Sequence, residues 1–187
     1  MIYPLQTSMK ITIDGVPGSG KSTVAKEVAK ALKFNLFVAG DFQRGLAKEM
    51  GLTILELAKV AENDREIDEK TDSWVRAIGE ADDNFIMVGR IAFNFIPDAI
   101  KIFLDVSDDE AARRIFHDMR EKEKENTSQG ATYEAIRARK ESENKRYKEY
   151  YNLDYNNPDN YDLVVDTTNI TIKEVIKKVL DFIKERA

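Results

Sequence analysis

The chain has no cysteine, one histidine and one tryptophan among its 187 residues. Without cysteine there are no disulfides and no thiolate metal centres, which fits a cytoplasmic location. No apolar run approaches the roughly 20 residues that a membrane-spanning helix needs. The opening MIYPLQTSMK lacks the apolar core of a signal peptide and reads as a short tail before a strand. There is no internal repeat and no low-complexity tract. Nor is there a large excess of one charge: 29 basic and 34 acidic residues leave a net charge of −5. That balance argues against broad binding to nucleic acid or a membrane surface. The length fits one domain with a substantial core.

Five short apolar runs read as strands, at 10–14, 34–38, 85–89, 100–105 and 161–166. Helical patterns separate most of them. Val24, Val28 and Leu32 recur at helical spacing. Ser107 with Glu110 reads as a capping box opening a helix near 108–124, and Thr171 with Glu174 opens the last helix. Strands alternating with helices predict a parallel sheet covered on both faces. Two stretches depart from this rhythm: 42–84 is helical and polar, and 118–150 is intensely charged. Both are expected to flank a site on the carboxyl edge of the sheet.

The stretch ITIDGVPGSGKSTVAKEVAKAL ends a strand in glycines and restarts as a helix. Gly15, Val16, Pro17, Gly18, Ser19, Gly20, Lys21 and Ser22 match G-x-x-x-x-G-K-[ST] in full, with Thr23 next. Glycines let successive backbone N–H groups converge on phosphate oxygens, and the helix N-terminus adds partial positive charge. The pattern predicts an ATP site in which Lys21 bridges the β- and γ-phosphates and Ser22 ligates Mg²⁺. No N-K-x-D segment supports a GTPase. The third strand ends in Gly89-Arg90, where a motor would carry an acid.

The second strand is followed by AGDFQR, holding Gly40, Asp41 and Arg44, and the third by VGR, ending at Arg90. This arrangement resembles nucleoside monophosphate kinases, in which a glycine turn followed by arginine and a later Gly-Arg bind the acceptor phosphate. Two guanidinium forks suit a group carrying nearly two negative charges. The resemblance sharpens to the cytidylate kinases, on ITIDG…GSGKST, on GR…IPDAIKIFLDVSDDEAARR and on VVDTTNITIKEVIKKVL. In such kinases the last of these segments reads the donor adenine. Arg139, Glu143 and Arg146 have the spacing R-x-x-x-[DE]-x-x-R, and on a helix they share one face. The matching set in the bacterial family contacts acceptor ribose and phosphate.

The resemblance implies a single domain over 1–187 with the three-layer α/β fold of P-loop kinases. It has a five-stranded parallel sheet (core 9–41, 85–117 and 160–187), a helical acceptor flap at about 42–84, and a lid with an acceptor-contacting helix at about 118–150. It implies a monomer that takes ATP, Mg²⁺ and CMP or dCMP, with Lys21 and Arg90 in the reaction; the alternatives are a kinase for another monophosphate, UMP or AMP, and a non-kinase P-loop ATPase or binding module. Arg114 and Arg120 are the expected lid arginines, Arg113 the next choice. Arg44, Arg90 and Arg146 are expected on the acceptor phosphate.

The chain also departs from the bacterial pattern. Ala39 stands for a serine and Ile91 for an acid, and the compact 42–84 segment looks archaeal in type. Val88 replaces an acid common in these kinases, which leaves Ser22 and Asp14 as the residues available near a metal. His117 is expected to serve surface or lid packing, since phosphoryl transfer needs little early proton abstraction. Trp74 is expected inside the flap. Tyr147, Tyr150, Tyr151 and Tyr155 are expected to pack rather than stack on RNA.

Overall fold

The structure is a computed structural model and describes residues 8–118 and 128–186. Five strands form one sheet in the order β2-β3-β1-β4-β5. They are β1 (Lys10–Gly15), β2 (Asn35–Val38), β3 (Phe85–Val88), β4 (Ile100–Asp105) and β5 (Leu163–Asp166), and every pairing is parallel. Both faces of the central strand are covered, so its polar residues are buried with its apolar ones: Ile11, Thr12, Ile13 and Asp14 are all at 0% exposure.

Helices α1 (Lys21–Leu32) and α8 (Ile172–Lys184) cover one face, where Val24, Val28, Val175, Val179 and Ile183 meet Ile11 and Ile13. Each such side chain contributes about 1.5–3 kcal/mol by leaving water. Helix α8 starts with the expected box, Thr171 and Glu174 capping each other. On the other face lie α6 (Asp108–His117) and α7 (Gln129–Tyr151), whose Ile115, Ile136 and Tyr147 pack with Phe103 and Tyr155.

The segment between β2 and β3 forms α2 (Ala39–Glu49), α3 (Ile54–Ala61) and α4 (Glu66–Ala81). A short helix, α5 (Ala92–Phe95), follows β3. Trp74 packs there as expected, stacked on Phe42 with ring centroids 5.1 Å apart. Three local features differ from expectation. Helix α2 starts at once after β2, so Gly40 and Asp41 lie in its first turn rather than in a turn before it. The Ser107 hydroxyl accepts from the Glu110 N–H, but the Glu110 carboxylate goes to Arg113 and Arg114 instead of closing a box. A full box stands instead at Thr53 and Glu56, opening α3.

Helix α6 ends at His117 with Asp118 in a turn; the expected reach to 124 and Arg120 lie in 119–127, outside the described residues. His117 is exposed against Phe116. Among the described residues no helix is long and apolar enough to cross a membrane.

Candidate functional site

The chain leaves β1 at its carboxyl end between β3 and β4, where connections run off to opposite sides and a crevice must open. Gly15 makes the exit possible. Its φ is +142°, and a Cβ there would lie 2.1 Å from the Leu104 carbonyl oxygen. Gly18 and Gly20 take φ of 76° and 86°, which turns the loop into the first turn of α1. Lys21 folds back over this loop. It is 8% exposed, and its Nζ donates to the Val16 carbonyl at 2.6 Å. Burial, and after it the charge of Arg90, push the lysine well below its ordinary pKa. An arriving polyphosphate would relieve both effects.

The loop forms one side of a cleft of about 1160 Å³. Arg44, Arg90 and Arg139 line the same cleft, from α2, the β3–α5 connection and α7. Glu143 organises two of them. Its Oε2 accepts from Arg90 Nε at 2.8 Å and its Oε1 from Arg139 Nε at 3.0 Å. Burial opposes the Glu143 charge, but Arg90, Arg139 and Arg146 outweigh it and hold the carboxyl at about 2. Burial likewise opposes the Arg90 charge, and Glu143 outweighs it. Arg90 also reaches back to the Gly15 carbonyl at 3.2 Å, which ties the two halves of the cleft together. Arg44 lies over Gly40 and pairs with exposed Asp41 at 2.5 Å.

Arg146 is placed differently from the sequence expectation. It is 3% exposed and does not line the large cleft. Its Nε donates to Asp68 Oδ2 at 2.7 Å, and its NH1 to Ser142 Oγ and the Ala58 carbonyl. The shared helical face is real, but α3 and α4 cover its far end. The guanidinium there needs protein partners in place of solvent. Glu143 also sits behind the cleft wall, as the support for Arg90 and Arg139.

On the donor side, Arg114 spans the loop and the end of β5. Its NH2 donates to the Thr167 carbonyl at 2.6 Å and its NH1 to the Gly18 carbonyl at 3.4 Å. Arg113 is exposed at the mouth and bidentate to Glu110. Asp14 has both oxygens engaged by the Ala92 and Phe93 N–H groups, so it closes α5. Burial raises its pKa to about 6. Ser22 lines the cleft in the exposed first turn of α1, and no acidic or histidine cluster able to hold a metal exists among the described residues. One hydroxyl suits an ion brought in by phosphates better than an ion held by the protein alone.

The sequence reading missed the α4 wall: Asp68, Thr71 and Asp72 line the same cleft. Its only signal was the acidic segment around Glu62–Asp72 within the polar 42–84 stretch, which composition cannot distinguish from a solvated face. The tyrosines pack as expected. Tyr147 and Tyr155 are in the core, Tyr150 donates to the Ala61 carbonyl, and Tyr151 donates to Asp72.

The sequence pattern of the cytidylate kinase-like family matches residues 10–169, from β1 through the donor-side loop after β5. The chain belongs to that family. As a cytidylate kinase-like protein it is a phosphotransferase that draws on ATP. A protein named cytidylate kinase from Methanococcoides burtonii is 35% identical over 176 residues, covering 92% of this chain and 97% of that one. A protein named S-adenosylmethionine-dependent nucleotide dehydratase from Lacinutrix mariniflava is 34% identical over 173 residues. That match covers 92% of this chain but only 35% of that longer protein. Shikimate kinase from Bacteroides thetaiotaomicron shares the fold, with a TM-score of 0.65 at 12% identity, covering 95% of this chain and 99% of that one.

Proposed function

We propose that this cytidylate kinase-like protein transfers the γ-phosphoryl group of ATP to CMP or dCMP. The observation that carries the reading is a single cleft lined both by the glycine cradle and by Arg44, Arg90 and Arg139. A cradle alone serves any nucleotide enzyme. Three guanidinium groups sharing its cleft call for a second, smaller anion. The names carried by relatives such as that of M. burtonii support a cytidine acceptor.

The chemistry requires positioning and charge compensation rather than a base. Loop N–H groups and Lys21 hold the donor phosphates. Arg44, Arg90 and Arg139 hold the acceptor phosphate in line with them and offset the repulsion between two anions. Glu143 fixes the guanidinium planes through their Nε sides, and the terminal nitrogens of Arg139 make no hydrogen bond to a described residue. Arg146 supports this wall from behind through Asp68. Arg114 braces the donor side. Ser22 would hold Mg²⁺ together with the phosphates, and the ion would neutralise charge on the β- and γ-oxygens. Helices α2–α4, α6 and α7 carry the walls whose approach would exclude water.

Initial rates with ATP·Mg²⁺ and CMP, dCMP, UMP, AMP and GMP test the proposal. CMP and dCMP are expected to lead. A leading AMP rate, or ATP hydrolysis indifferent to every monophosphate, would overturn it.

A further inference from the structure

The cleft has a wall that phosphate chemistry leaves unused, the face of α4 carrying Asp68, Thr71, Asp72 and Val75. Asp68 is committed to Arg146 at 2.7 Å. Its two polar neighbours are not fully satisfied. Thr71 is 6% exposed, and its Oγ1 is buried with no hydrogen-bond partner. Asp72 is also 6% exposed. Its Oδ2 accepts from the Tyr151 hydroxyl, while its Oδ1 accepts from no described residue. Val75, Ala39 and Phe95 make the surroundings apolar. A carboxylate oxygen and an orphan hydroxyl in an apolar wall carry a desolvation cost that a complementary ligand removes.

We infer that Asp72, with Thr71 beside it, reads the amine edge of the acceptor base and makes the site select cytosine over uracil. The inference rests on the kinase reading above and adds the residue that chooses the base.

An ionised carboxylate can only accept. Cytosine presents its exocyclic N4 amine, a donor, where uracil presents the O4 carbonyl, an acceptor. Asp72 therefore pairs with cytosine and sets oxygen against oxygen with uracil. Thr71 can donate to cytosine N3 or accept from uracil N3–H, so it adds affinity without discriminating. Burial holds the Tyr151 hydroxyl proton well above its ordinary pKa, so Tyr151 remains a donor and orients Asp72. Tyr151 shares α7 with Arg139, so one helix sets both the phosphate and the base contacts. With Ile91 directly after Arg90, no carboxylate competes for this role from that side.

The test is kcat/KM for CMP and for UMP in the wild type and in Asp72→Asn, Tyr151→Phe and Thr71→Val, with thermal melts to confirm folding. The amide of Asp72→Asn can donate to O4, so the CMP/UMP ratio should fall about tenfold or more, through better use of UMP as well as poorer use of CMP. Tyr151→Phe should lower the ratio by a smaller factor. Thr71→Val should weaken both substrates about equally. A merely structural role for Asp72 would reduce both activities and keep the ratio. If the wild type prefers CMP and the ratio stays within about threefold of it in Asp72→Asn, the inference fails alone. If Asp72→Asn does not fold, an unchanged ratio in Tyr151→Phe has the same force. A wild type that prefers a non-cytidine acceptor overturns the kinase reading and this inference together.

Discussion

Arg90 and Glu143 are 53 positions apart in the chain and 2.8 Å apart in the fold, nearly buried side by side. Arg90 comes off the end of a core strand and Glu143 from the long helix over the opposite wall. Their pairing lets two arginines, Arg90 and Arg139, stand at the cleft without repelling each other before a substrate arrives. Replacing Glu143 with Gln should leave two buried cations undercompensated. We expect a loss of about 3 kcal/mol or more in unfolding free energy and a raised KM for the acceptor, with a smaller change in KM for ATP. Denaturant melts and two-substrate kinetics check this. Equal changes in both KM values would show that the pair does not belong to the acceptor half.

Lys21 should carry its effect in turnover. In the proposed reaction Lys21→Ala removes a cation from the transferring phosphates, and kcat should fall about 10²–10⁴-fold, or about 3–5 kcal/mol of transition-state stabilisation. The folded state should not suffer, because the buried ammonium and its Val16 contact go together. Single-turnover rates separate this loss from slow product release.

Arg146 offers a contrast within the same helix. Arg146→Met leaves Asp68 buried and unpaired, so stability should fall by about 3–5 kcal/mol, while the acceptor KM should change less than in Arg139→Met. Adding Asp68→Leu should restore much of the stability. A double variant no more stable than Arg146→Met would count against the ion pair as the cause.

Stability should also depend on pH through two buried carboxyls. Burial raises Asp14 and Asp72 to about 6, the latter despite the Tyr151 hydroxyl. Both bind protons more readily folded than unfolded. Stability should therefore rise as pH falls from about 7 towards 5, by up to about 1.4 kcal/mol per pH unit for each group. Glu143, held at about 2 against burial by Arg90 and its neighbours, acts in the opposite sense and lowers stability below about pH 4.5. Asp72→Asn should flatten the upper part of the curve measured by chemical denaturation. An unchanged slope between pH 5 and 7 would show that Asp72 does not titrate there.

The donor half was legible because it is local. Gly15 to Ser22 lie in one turn of chain, and strand, glycines and helix specify each other without distant partners. The five strands were legible for a similar reason: a strand buried on both faces, such as β3 with its sequence FIMV, is written as an uninterrupted apolar run. The Thr171–Glu174 box was equally readable, while only half of the Ser107–Glu110 box was: the Ser107 hydroxyl caps α6, but the Glu110 carboxylate does not return to it. Arg113 and Arg114 compete for the Glu110 carboxylate, and no local rule ranks those partners.

The acceptor half depended on tertiary packing. Arg139, Glu143 and Arg146 are one stripe in the sequence, but α3 and α4 cover one end of it and leave the other open, so Arg139 lines the cleft while Arg146 is buried against Asp68. Asp72 became a cleft residue only because α4 turns that face towards α7 and Tyr151. Residues alone set which groups the chain owns and where its backbone can bend. Which charges meet, and which are left for a substrate, followed from how helices remote in sequence screen one another from water.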